Sequence, residues 1–188
     1  ITGNLLNGYF IAHLVMFFLM VHVPFLIALV AGAAAAGEAS GGTLRLILIR
    51  PPSRTQIIMA KALIILIYTV LLILTLAILS LGLGPMVFGA GDLLVVEKGL
   101  LILPKGEAFL RFFIAYPLAM LSMSVVAALA FLFSVLVENA IGPIVGTMTV
   151  VVVSLIISET PILLFEKIKP FLFTTYSSVW QKAFLNPI

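Results

Sequence analysis

Residues 62–81 read ALIILIYTVLLILTLAILSL, twenty residues without a charge. A helix needs about 20 mostly apolar residues to cross the hydrocarbon core of a bilayer. This stretch therefore has the length and composition of a membrane span. Its start is marked upstream. Ser53 is expected to cap a helix that opens at Arg54, with Gln56 three residues on completing a capping box. The helix is expected to run from Arg54 to about Leu81, where Gly82, Gly84 and Pro85 break the pattern. Three more apolar runs have similar length: about 9–36, 108–137 and 141–158. Pro24 and Pro117 lie inside two of them; neighbouring helices can re-satisfy the backbone groups that a proline frees in lipid. The chain of 188 residues is 63% hydrophobic and only 9% charged, against about 25% charged in ordinary soluble domains. An all-α, polytopic membrane protein with four spans follows, as a single domain over residues 1–188.

Between the first two spans lies loop 37–61, the polar and basic interruption EASGGTLRLILIRPPSRTQIIMAK at 38–61. It carries Arg45, Arg50, Arg54 and Lys61, four of the ten basic residues. Thr43 is placed to cap a short helix, 44–50. Leu44, Ile47 and Leu48 share one face of it, and Arg45 points away. Pro51-Pro52 ends that helix, because a residue before proline avoids the α region. The Gly-rich stretch 82–107 forms the next loop, with Leu93–Val96 and Leu100–Leu103 as short interfacial pieces. Glu138-Asn139 is a tight turn. Residues 159–188 are cut by Pro161, Pro170 and Pro187 into pieces too short to span, and Tyr176 and Trp180 suit a membrane–water interface.

Four spans put loops 37–61 and 138–140 on one side. The N-terminus, loop 82–107 and segment 159–188 fall on the other. The positive-inside rule counts Lys and Arg near span ends. The first side has four bases, all in loop 37–61, where the only acid is Glu38. The second has six bases spread over longer segments with five acids. Density favours a cytosolic loop 37–61; the raw count does not.

Several chemistries are excluded by what the chain lacks. With no cysteine there are no disulfides, thiolate metal sites or cysteine nucleophiles. There is no P-loop, no HExxH and no GxSxG motif, and no basic-aromatic cluster of a nucleic-acid binder. No cofactor or metal is expected. His13 and His22 are intramembrane ionisable groups, which are functional candidates by default. They are nine residues apart and point to roughly opposite sides of a helix. They read either as neutral histidines bonded to neighbouring helices or as part of a substrate path. Gly142-x-x-x-Gly146 is a small-xxx-small pair, read as packing within one subunit or as a dimer contact. Ser122, Ser124 and Ser134 are either interhelical hydrogen-bond partners or the lining of a polar path. Arg111, near a span end, is expected to snorkel to headgroups.

The string Glu38-x-x-x-Gly42-Thr43-Leu44-Arg45-Leu46-Ile47-Leu48-x-Arg50-Pro51-x-Ser53-Arg54-x-x-Ile57-x-x-x-Lys61 resembles the cytosolic loop of type-2 ABC exporter permeases. These are membrane subunits that work with a separate ATP-hydrolysing subunit. The resemblance implies that loop 37–61 is cytosolic and holds a coupling helix. It implies that Glu38, Gly42, Thr43, Leu44, Arg45, Leu48, Arg50, Pro51, Ser53, Arg54 and Lys61 couple to the ATPase subunit. Residues 134–146 resemble the family's tight cytosolic turn between its fourth and fifth helices; Glu138 reads either as a solvated turn residue or, with Asn139, as a second cytosolic contact. Residues 174–180 resemble its extracytoplasmic element before the last helix. On this alignment the first and sixth of six helices are missing, and the native gene is expected to extend at both ends. Ser40, where many relatives carry an acid, and Pro52 depart from the pattern.

The expected function is that of a permease subunit, not an enzyme, working by alternating access in a bacterial or archaeal plasma membrane. Its expected partners are an ABC ATP-binding subunit, a second permease subunit and membrane lipid, with no nucleic acid. Two rivals stand beside it. One is an intramembrane enzyme or proton-coupled carrier using His13, His22 and Glu159. The other is a membrane scaffold that transports nothing, in which loop 37–61 is only a basic positive-inside loop.

Overall fold

The computed structural model describes residues 7–41, 53–95, 101–159 and 179–185. Of these residues 87% are helical, and among them are four helices long and apolar enough to cross a membrane. Helix α1 is Gly8–Ser40 and α2 is Arg54–Phe88. A hairpin of β1 (Leu93–Val95) and β2 (Leu101–Leu103) follows, then α3 (Lys105–Leu136), α4 (Ile141–Glu159) and the short α5 (Val179–Leu185). The chain is an all-α, polytopic membrane protein carrying one small hairpin.

The structure corrects several expected boundaries. Helix α2 does not stop at Leu81 but continues through Gly82, Gly84 and Pro85 to Phe88. In lipid an unsatisfied backbone group costs several kcal/mol (about the cost of stripping its water), so a glycine or proline is a weaker stop than in water. The real stop is Gly89, whose φ of 76° is a left-handed conformation suited to glycine. Helix α1 likewise runs past Ala36 to Ser40, and α3 begins at Lys105. Loop 82–107 is therefore helical at both ends. Its two short apolar pieces pair with each other as antiparallel strands, Leu93 opposite Leu103 and Val95 opposite Leu101.

The chain divides into two compact units. The first comprises residues 1–21, 71–121 and 177–188. Its core is aromatic: Phe112 of α3 stacks near Tyr9 of α1 and meets Phe184 of α5 edge-on at 5.0 Å between ring centroids. Trp180 and Phe184, four residues apart on one face of α5, are both buried. Trp180 thus packs inside protein instead of facing the membrane–water interface as expected. Ser80 of α2 and Tyr116 of α3 share a buried hydroxyl–hydroxyl hydrogen bond of 2.5 Å.

A polar knot ties the helix ends of this unit. The Asn7 side chain accepts hydrogen bonds from the amides of Tyr9 and Phe10, capping α1, and donates to the Asp92 carbonyl. The Asp92 carboxylate in turn accepts from the Lys105 amide and caps α3 at 3.2 Å. Gly8 donates its amide to the carbonyl of Gly89 at 2.8 Å.

The second unit comprises residues 22–70 and 122–176. Its described core mixes larger side chains such as Ile27, Val126 and Phe131 with small ones: Ala28, Ala31, Ala36, Ala127 and Ala130 are buried. Small residues let helix backbones approach in membranes, where apolar burial alone offers no gain over lipid. The Gly142/Gly146 pair packs within the chain: a Cβ at Gly142 would meet Val137, and one at Gly146 would meet Phe133. Buried hydroxyls satisfy themselves on the preceding turn. Thr69 donates to the Ile65 carbonyl and Thr147 to the Pro143 carbonyl.

Candidate functional site

The loop between α1 and α2 rises from two feet, and the second unit fixes both. The inner foot is the last turns of α1, the run AGAAAAGE at 31–38. Lys61, in the second turn of α2, reaches back to it. Its ammonium donates to the Ala34 carbonyl and forms an ion pair with Glu38. Ala34 and Glu38 are one helical turn apart, so a single lysine grips the same face twice. The Lys61 side chain is 17% exposed and that of Glu38 35%. Both were expected to couple to a soluble subunit; here they join each other and clamp the feet of the loop.

The small side chains of that run admit two more partners. The Ser134 hydroxyl of α3 accepts from the amides of Ala35 and Ala36 at 2.9 and 3.0 Å. It can reach the backbone of α1 because residues 33–36 carry nothing larger than a methyl group. Gly32 faces α4 so closely that a Cβ there would lie 3.0 Å from Ile144 Cγ1. The end of α1 is thus gripped by α2, α3 and α4. From the sequence Ser134 reads either as an interhelical hydrogen-bond partner or as the lining of a polar path; the structure shows it bonded to α1. The readable signal for its role was the AAAA run, which marks a place where helices come close.

The outer foot is the start of α2. The expected capping box is present: the Ser53 amide donates to Gln56 Oε1 at 2.9 Å, and the Gln56 amide donates to Ser53 Oγ at 3.3 Å. Ser53 therefore stiffens the helix start. Arg54, the next residue, is exposed. Gly42, Thr43, Leu44, Arg45, Leu48, Arg50 and Pro51 lie outside the described residues, and the expected coupling helix with them. At the second turn Glu138 is exposed, and the Asn139 side chain accepts from the Ile141 amide at 3.0 Å, supporting the start of α4.

A second polar cluster sits in the first unit. Arg111 is 3% exposed and does not snorkel to headgroups as expected. It donates to the Ala183 carbonyl in the last turn of α5 at 3.0 Å and lies 3.7 Å from Glu107. A cation at a helix C-terminus satisfies an orphan carbonyl there. His13 is buried, with its ring edge against Phe184. His22 is exposed and belongs to the second unit. The side chain of Glu159 lies outside the described residues. Among the described residues no three His, Asp or Glu side chains gather as a metal-binding group.

These features define a polytopic, all-helical membrane protein whose first two helices are locked together at the base of a basic loop. The chain belongs to the family described as "Protein of unknown function (DUF2705)", whose model matches residues 2–181. No curated protein and no solved structure matches the chain.

Proposed function

We propose that this chain is the permease subunit of an ABC-type exporter, moving its substrate by alternating access while a separate subunit hydrolyses ATP. The observation that carries the reading is the clamp at the loop base, taken with the resemblance of residues 38–61 to a coupling loop. A loop that transmits force needs feet that do not slip. Lys61 binds the end of α1, and the Ser53–Gln56 box starts α2 without slack. Movement of the loop then passes directly into the first turns of α2. Loop 37–61 faces the cytosol in this reading, and a second permease subunit completes the path. The membrane is a bacterial or archaeal plasma membrane.

The test begins with topology and partner. A cysteine placed at Ser40 is expected to react only from the cytosolic side of sealed vesicles, and one at Gly91 only from the outside. The background is clean, since the chain has no native cysteine. Chain isolated from its native membrane in mild detergent is expected to bring an ATP-hydrolysing subunit with it. Reversed labelling, or isolation without any such subunit, contradicts the proposal.

A further inference from the structure

One cleft of the second unit has no part in the coupling mechanism. It opens between the first turns of α2 and the last turns of α3, with a volume of about 310 Å³. Ile58, Ala62 and Leu66 form one wall; Ala128, Phe131 and Val135 form the other. Every lining side chain is apolar. At the end where α2 begins stands Arg54, one turn before Ile58 and exposed. Residues four apart share a helix face, so Arg54 continues the Ile58 face of α2 beyond the end of the cleft. Among the described residues Arg54 pairs with no acid, whereas Lys61 two turns on is held by Glu38.

We propose that this cleft binds one acyl chain of an anionic glycerophospholipid, whose phosphate is held by Arg54. A helix with side chains is about 10–12 Å across and does not enter a cleft of this volume; an acyl chain does. An arginine at the end of an apolar groove attracts an anionic headgroup in preference to a zwitterionic one, and each such cation near a membrane surface is worth about fivefold in binding. The inference is independent of the permease reading: it asks only that the chain lie in a bilayer.

The test is native mass spectrometry of the full chain after equilibration with vesicles of equimolar phosphatidylglycerol and phosphatidylcholine. The parent is expected to retain phosphatidylglycerol over phosphatidylcholine. Arg54→Gln is expected to lower that preference by about fivefold, leaving phosphatidylcholine retention unchanged. Ala128→Leu, which enlarges a side chain of the α3 wall, is expected to lower retention of both lipids. Lys182→Gln, a change at an exposed lysine of α5, is expected to alter neither. Unchanged lipid preference in Arg54→Gln overturns the headgroup assignment. Unchanged retention in Ala128→Leu overturns the cleft. A dimer of the chain that Ala128→Leu dissociates shows instead that a second copy covers the groove, and this also overturns the proposal.

Discussion

Lys61→Met is expected to lower stability by about 2 kcal/mol and to free the two feet of the loop. Removing one partner of a buried pair leaves the other uncompensated and typically costs 3–5 kcal/mol. Glu38 retains about a third of its exposure here, so water recovers part of that loss. The Ala34 carbonyl also loses its extra donor. Glu38→Leu alone is expected to cost less, because Lys61 keeps that carbonyl and has a long stem to reach water. The double variant Lys61→Met/Glu38→Leu is expected to recover most of the loss, since replacing both members of a buried pair by apolar groups is often neutral. Thermal melting followed by circular dichroism gives the four corners of the cycle. A coupling energy above about 0.5 kcal/mol is what residues in contact show; strict additivity of the two single changes would mean that the clamp contributes nothing.

Gly8→Ala is the second large effect. A Cβ at residue 8 falls onto the backbone of Gly84 and Pro85. Backbone cannot rotate away as a side chain can, so α1 and α2 must separate. Overpacking of this kind costs about 1–3 kcal/mol. Separation also strains the bond from the Gly8 amide to the Gly89 carbonyl. Gly82→Ala is the matched control. Nothing lies within 4 Å of a Cβ there, and alanine in a helix interior gains about 0.5–1 kcal/mol over glycine. One glycine variant should therefore melt lower than the parent and the other higher. Trp180, the single tryptophan, is buried in the same unit as both positions, so its fluorescence reports the transition. Equal shifts for the two variants would contradict the close approach at Gly8.

The contrast between Gly8 and Gly82 also shows what the sequence could and could not disclose. The spans were legible because twenty uncharged residues admit little else in 62–81. The Ser53–Gln56 cap was legible because its partners are three residues apart. The end of α2 was not, because Gly84 and Pro85 act as breakers in water and as packing residues in a membrane. The hairpin was hidden because two three-residue strands have no period to read. Arg111 misled for a related reason. Its position near a span end pointed to headgroups, while its actual partner, the Ala183 carbonyl, is 72 residues away in the chain. The candidate site was half legible. Glu38 and Lys61 were both singled out from the loop pattern, yet their pairing with each other required a fold. The role of Ser134 required the position of α3 against α1.

In the proposed permease, loop 37–61 transmits the work of an ATP-hydrolysing partner into α2. The most direct measurement uses Thr43→Ala combined with Arg45→Glu in the reconstituted complex. Loss of a helix N-cap costs about 1 kcal/mol, enough to fray a helix of two turns while the spans stay intact, and the charge reversal repels an acidic partner surface. Normal membrane insertion is expected, with weakened association of the ATPase subunit or loss of substrate-stimulated hydrolysis. Lys182→Glu, at an exposed position on α5, should leave both at the parent's level. If the Thr43/Arg45 variant binds and stimulates the ATPase subunit as well as the parent does, the loop is only a basic loop at the membrane surface, and the account is contradicted.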